Sequence, residues 1–508
     1  MRRPAPGRIV AAASAALLSA STARAGDFGA DGRTSAQRVA GFEQAIGKSD
    51  RSGPSLHAII ALNPRAGADA RALDAERAAG HLRGPLHGVP ILIKDNIETA
   101  DGMATTAGSL ALKDNVTGRD APLVARLRDA GAVILGKTNL SEWANFRSAF
   151  ASSGWSAVGG QTRNPHDPSR SPCGSSSGSA VAVAAGFAAA AIGTETDGSI
   201  TCPAAVNGVV GLKPTVGLVS RSRIIPISHS QDTAGPITAT VRDAALLLAV
   251  IAGADPADPA TREADAHRTD YAGALDAGSL KGTRIGVMRF AAGFHPQTDA
   301  VFETALARLR AAGAVLVQIA DGPDRKAIGE AEQIVLATEF KADIDAWLAT
   351  TSPDRVRTRT LADLIAFDRG HAAEEMPLFG QDVFEAAEAT KGLADPAYLT
   401  ALATGRRLAG AEGIDRMLAV NQVVALVAPT LAPAWVIDPV LGDHDLGGGA
   451  GSLAAVAGYP HLTVPMGTVS GLPVGLSFIG PAWSEARLLS LGYAFEQSTP
   501  ARGRSPHS

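Results

Sequence analysis

The sequence predicts an α/β fold, a sheet covered by helices, and three observations carry that expectation. Val89 to Ile93 and Val133 to Leu135 are short apolar runs with β-branched residues, the composition of buried strands. Between them Leu123, Val124 and Leu127 recur at helical spacing, and Gly131 ends the segment. The same strand–helix–strand rhythm returns at residues 284–288, 298–312 and 315–319.

The first 25 residues read as a signal peptide. Arg2, Arg3 and Arg8 give a basic start, Ile9 to Leu18 an apolar core, and Ala23-Arg24-Ala25 a small-x-small site. Residues 34–50 and 66–82 are then expected as helices. Gly84 to Gly88 is a turn into the first strand, which ends at Lys94. Residues 151–172, rich in Ser, Gly, Asn and Pro, are expected as an ordered loop. Ala180 to Gly186 reads as a small-residue helix, and Ala188 to Ile192 and Gly208 to Leu212 as strands. Arg242 to Ala252 reads as a helix and residues 254–280 as an exposed connection. Residues 325–425 are expected to be mostly helical, broken at Pro353, Pro377 and Pro396. Val423 to Val427 and His461 to Pro465 return to strand. No linker divides residues 26–508, so they are expected to form one large domain.

Composition narrows the function. The 508 residues carry 46% hydrophobic and 19% charged residues and a formal charge of −4, which gives no footprint for nucleic acid or an anionic membrane. After the signal peptide no apolar run is long enough to span a membrane, so the mature protein is expected to be soluble and either periplasmic or secreted. Two cysteines, Cys173 and Cys202, make neither a disulfide scaffold nor a zinc site. In an oxidising compartment the two could pair, and two buried free thiols are the expectation set just ahead of that.

Two glycine-flanked serine clusters hold the candidate chemistry. Gly174-Ser175-Ser176-Ser177-Gly178 matches G-x-S-x-G, but the preceding residues are polar and hold Pro165, Pro168 and Pro172. The strand that such an elbow needs is missing, so Ser176 is set aside. Ser199 follows Thr196-Asp197-Gly198, a turn whose backbone N–H groups can converge on an oxyanion. Lys94 ends an apolar strand. Out of water a lysine loses its preference for charge and can act as a base, although by this feature alone a solvated lysine beside Asp95 is the better reading. His87 and His229 show no obvious acid partner and read as structural, while a Ser-His-Asp arrangement stays open on pattern alone. Asp443-His444-Asp445 beside three glycines reads as a solvated loop. S-x-x-K, H-E-x-x-H, Walker and EF-hand patterns are absent from the sequence.

Taken together, these stretches resemble the amidase signature family. The resemblance rests on Leu86 to Asn96, Thr105 to Ser109, Gly136 to Asn139, Thr162 to Pro165, the whole of Ser171 to Pro203, Gly211 to Thr215, Gln231 to Pro236 and Gly458 to Pro460. It covers roughly residues 34 to 495 and implies a single α/β/α domain with a central mixed, twisted sheet. By position it implies a Ser–cis-Ser–Lys triad: nucleophile Ser199, bridging Ser175 and base Lys94. It implies an oxyanion hole from the N–H groups of Thr196, Asp197, Gly198 and Ser199. Glu195, Asp197 and Thr201 stand where Asp, Gly and Arg are usual, a departure that looks like the branch containing bacterial peptide amidases. The implied activity is hydrolysis of a primary carboxamide, foremost a peptide's C-terminal amide, by a monomer without metal or organic cofactor. A broad-specificity amidase on small aliphatic or aryl amides, and a binding protein with a degenerate site, are the alternatives.

Overall fold

Side chains alternate across a strand, so a strand buried on both faces must be apolar at every position. Ile91, Leu92 and Ile93 meet that condition. Ile91 and Ile93 enter one core with Ile134, Ile192 and Leu212, and Leu92 enters another with Leu135, Ala191 and Ile237. This computed structural model describes Phe28 and residues 32–498; the expected signal peptide lies outside the described residues.

Thirteen strands follow in chain order: β1 Ile59–Leu62, β2 Pro90–Lys94, β3 Val133–Thr138, β4 Trp155–Ser156, β5 Gly160–Gln161, β6 Ala190–Glu195, β7 Val210–Lys213, β8 Thr233–Thr238, β9 Arg284–Met288, β10 Val315–Ile319, β11 Ala425–Pro429, β12 His461–Val469 and β13 Leu472–Ile479. Eleven form one sheet in the order β1-β3-β2-β6-β8-β7-β12-β13-β11-β9-β10. β2 runs parallel to β3 and β6, and β9 runs parallel to β10 and β11. The remaining pairs are antiparallel. The sheet is therefore mixed, and each face is covered. Helices Val241–Ile251, Pro296–Ala311 and Glu485–Gln497 pack on one side; Ser35–Ser49, Ala66–Ala78 and Ser177–Ala184 pack on the other.

The helical layer is present. Its longest member, Arg325–Ala349, contributes Phe340, Ile344 and Trp347 to a separate core with Leu361, Leu364 and Phe384. Pro396 opens a helix there rather than breaking one, because Asp395 caps it by accepting from Ala397 N at 3.1 Å and proline suits the first turn. The connection at 254–280 is less exposed than expected: Thr261, Ala264, Tyr271 and Leu280 are buried. Three strands of the eleven-stranded sheet escaped the sequence reading, and the two-residue strands β4 and β5 stand within the loop expected at 151–172. β8 holds Gly235 and Pro236, which argue against a strand, yet it lies between β6 and β7. A Cβ on Gly235 would come within 2.1 Å of the Leu212 carbonyl oxygen, so the close approach of β7 requires glycine. β1 and β13 were passed over as well.

Candidate active site

β2 brings Lys94 to the site. Alternation puts it on the Leu92 side of the sheet, where the Ser177–Ala184 helix packs. Lys94 is fully buried. Its Nζ lies 2.7 Å from Ser175 Oγ, 2.8 Å from Thr194 Oγ1 and 3.2 Å from the Thr194 carbonyl oxygen. A neutral amine has two hydrogens and one lone pair. The two Thr194 oxygens accept the hydrogens, which turns the lone pair toward the Ser175 hydroxyl. Asn96 Nδ2 donates to the same Thr194 hydroxyl at 3.0 Å and fixes it.

Burial pulls Lys94 down to about 7, against the opposing charges of Asp232 and Glu195. Lys137, the neighbouring buried lysine on β3, has a carboxylate partner, Asp95, at 3.5 Å. Among the described residues no carboxylate lies that close to Lys94. The site thus separates a base from an ion-pair lysine by what surrounds each.

The two serine clusters interlock. The Gly174–Ser175 peptide bond is cis. Ser175 is buried, its carbonyl accepts from Ser141 N at 3.1 Å, and Ser176 N donates to the Ser199 carbonyl at 3.0 Å. A Cβ on Gly174 would lie 2.0 Å from Ser141 Oγ, so this contact demands glycine. Ser176 faces away from catalysis: its Oγ donates to the Thr194 carbonyl at 3.0 Å and accepts from Thr194 N at 3.2 Å.

Ser199 stands at the start of the Thr201–Val206 helix, 8% exposed. Gly198 before it has φ +79°, a left-handed turn. Among the described residues the N–H groups of Asp197, Gly198 and Ser199 meet no protein acceptor. Glu195 holds the turn from the other side. Its Oε2 accepts from Ile200 N at 2.7 Å, Thr201 N at 2.9 Å and Thr201 Oγ1 at 3.2 Å, so this longer acid caps the helix that follows the serine. Asp197 is half-buried, and burial raises its carboxyl against the opposing influence of Ser452. Glu332 from the helical layer is raised too, first by burial and then by the charge of Asp197, while Gln231 Nε2 donates to it at 2.8 Å.

Three expectations need correction. Cys173 and Cys202 are not free thiols. They form a disulfide with Cα atoms 6.0 Å apart, because both flank the interlocked clusters and are brought together with them. His229 has acid partners that the chain supplies more than a hundred residues later: Nδ1 lies 2.9 Å from Asp343 Oδ2 and Nε2 3.4 Å from Glu339 Oε1. Asp343 holds it above the ordinary imidazole range. Asp443 is not a solvated acid. It accepts from Ser153 N at 3.1 Å, Ser153 Oγ at 2.5 Å and Trp435 Nε1 at 2.9 Å. His87 is structural as expected, with Nε2 at 2.9 Å from the Leu73 carbonyl.

A cavity of 410 Å³ is walled by Asn96 and Thr194, which surround the amine, and by Thr196, His229, Asp232 and Trp347. His229, Glu339 and Asp343 are the one group of metal-type donors among the described residues, with ligand atoms within 4.8 Å of one another. Hydrogen bonds to Ser228, Ser230 and Tyr398 already occupy Glu339. The sequence reading missed Thr194, Asn96 and Asp232 as site residues, although all three lie in the stretches that carried the resemblance.

Comparison with known proteins agrees with this architecture. The Amidase family model matches residues 42–489. A probable amidase of Arabidopsis thaliana is 41% identical over 479 residues, 92% of this chain and 88% of the relative. The solved peptide amidase of Stenotrophomonas maltophilia is 55% identical, with a TM-score of 0.86 over 94% of this chain and 95% of that one. A peptide amidase in complex with the competitive inhibitor chymostatin gives 55% identity and a TM-score of 0.88 over 94% and 96% of the two chains.

Proposed function

Since this chain belongs to the amidase family and is an amide C–N hydrolase, we propose that it is exported and converts primary carboxamides, foremost peptide C-terminal amides, to the free acid and ammonia. The observation that carries the catalytic assignment is the Lys94–Ser175 contact: a buried amine, pulled to about 7, 2.7 Å from a buried hydroxyl. Neutral Lys94 takes the Ser175 proton as Ser175 takes the Ser199 proton, and Ser199 Oγ bonds to the amide carbon. The N–H groups of Thr196, Asp197, Gly198 and Ser199 stabilise the oxyanion. The relay returns the proton to the leaving nitrogen, the C–N bond breaks and ammonia departs. Water then attacks the acyl-Ser199 ester by the same route and releases the acid. This chemistry draws only on side chains and backbone of the chain.

Two features support the finer reading. The 55% identity to peptide amidases over 94% of the chain supports a peptide amide as substrate. The basic, apolar, small-x-small start and the Cys173–Cys202 disulfide support export to an oxidising compartment. The test is ammonia release from a peptide amide by wild type, Lys94→Ala and Ser199→Ala. Wild type is expected to be active and both variants to lose on the order of 10³-fold or more. Full activity of Ser199→Ala, or a wild type inert on every amide, would falsify the assignment. A wild type active on small amides alone moves the reading to a broad-specificity amidase.

A further inference from the structure

Five large apolar side chains stand in solvent around one loop: Val440 is 87% exposed, Phe150 70%, Leu441 63%, Leu446 62% and Val436 44%. Resting on the peptide-amide reading above, we propose that they form a shelf at the rim of the catalytic cleft, and that it holds apolar side chains of the peptide upstream of its carboxamide.

The loop is built to present them. Asp438 Oδ1 accepts from Val440 N at 2.8 Å and Leu441 N at 3.0 Å, and Gly442 N returns to the Asp438 carbonyl at 3.0 Å. This closed turn places Val440 and Leu441 at its tip. Asp443 N donates to the Ala151 carbonyl at 3.0 Å, which sets the turn against the Phe150 segment. Clustered exposure of this kind marks an interaction surface rather than scattered apolar residues.

Its anchors lie on the two catalytic loops. Leu431, Ala434 and Trp435 at the root pack with Cys173 and Cys202, two residues before Ser175 and three after Ser199. Asp443 in the middle binds Ser153, and Ser153 Oγ lies 3.2 Å from the Cβ position on Gly174. Ser452 beyond the far end neighbours Asp197 in the nucleophile turn and favours its charged form. The apolar tips therefore sit between tethers to the relay loop and to the nucleophile turn.

The reaction's chemistry selects the occupant. A primary amide carries only hydrogens on nitrogen, so all of the substrate's bulk lies on the acyl side. A peptide attached to Ser199 must leave the cleft in one direction, advancing about 3.3 Å per residue when extended. The shelf continues the cleft and offers apolar area to that chain.

The experiment compares kcat/KM for leucinamide, a tetrapeptide amide with leucine at the upstream positions, and the same tetrapeptide with aspartate there. It uses wild type, the double variant Val440→Asp/Leu441→Asp, and Leu441→Met. Wild type is expected to prefer the leucine tetrapeptide over both other amides. The double variant is expected to lose about tenfold of that preference, the scale of burying one leucine-sized side chain, through KM rather than kcat, with Leu441→Met retaining it. An unchanged preference in a double variant of wild-type melting temperature overturns the shelf. So does sedimentation showing that the double substitution dissociates a dimer, which assigns the surface to a second copy. If wild type cleaves leucinamide and no peptide amide, the substrate reading fails along with the shelf; if it cleaves all three amides equally well, the shelf alone fails.

Discussion

Asp232 ties the nucleophile turn to the Ile227 segment of the cavity wall. Its Oδ1 accepts the Thr196 hydroxyl at 2.5 Å, and its Oδ2 accepts Ile227 N at 2.8 Å and Ser228 N at 2.9 Å. The charge of the same carboxylate favours the protonated form of Lys94, so it acts on the base as well as on the nucleophile turn. Asp232→Ala is expected to lower kcat on the order of 10²-fold, the low end of losing an oxyanion donor, with a smaller change in KM. Asp232→Asn retains an acceptor for Thr196 and is expected to lose less. Steady-state kinetics of the two variants check this, and an unaltered kcat in Asp232→Ala sinks it.

The base must be neutral to accept a proton, and burial sets that threshold for Lys94 at about 7. Activity is therefore expected to rise with pH through this region and to level off above it. Lys94→Arg stays charged throughout and is expected to be inactive at every pH. A kcat/KM profile between pH 5.5 and 9 reads the threshold. A profile flat across that range removes Lys94 as the base.

The Cys173–Cys202 bridge spans a sequence separation of 29 and closes the segment that holds both Ser175 and Ser199. Loop-closure entropy for a segment of that length corresponds to about 3–4 kcal/mol of stability. Cys173→Ser/Cys202→Ser is expected to unfold at lower denaturant by that margin. Added reductant is expected to move wild type toward the variant and to leave the variant unmoved. Superimposable denaturation curves with and without reductant refute the link to stability.

The adjacent strands β3, β2 and β6 were legible in the sequence because they are apolar on both faces, and doubly buried strands announce themselves in that way. β8 was not legible, since its Gly235 and Pro236 answer to neighbours that only the fold supplies. The serine clusters and Lys94 could be named as candidates, and the family resemblance arranged them. Their surroundings could not be read. Thr194 orients the amine from a hundred residues away, and Asp343 reaches His229 from 114 residues away. Contacts across such separations leave no local pattern. Ser176 shows the converse: a literal motif match whose hydroxyl is occupied by the Thr194 backbone.

His229 joins the loop lining the 410 Å³ cavity to the Arg325–Ala349 helix, and that junction is expected to depend on pH. Its Nδ1 and backbone N–H both meet Asp343, at 2.9 Å and 2.8 Å to Oδ2, and Nε2 faces Glu339. The Asp343 hydrogen bond raises the imidazole above its ordinary value, against burial and the charge of Arg221. A raised folded-state pKa means that folding takes up protons here. The stabilisation is complete below the unfolded value near 6.5 and is lost as pH rises through the folded value. The difference in melting temperature between wild type and His229→Ala is therefore expected to be largest near pH 6 and to shrink by pH 9. Asp343→Asn keeps a hydrogen-bond acceptor but removes the charge, and is expected to flatten that dependence. Melting curves of the three proteins at both pH values decide it, and a gap that widens toward pH 9 contradicts the assignment.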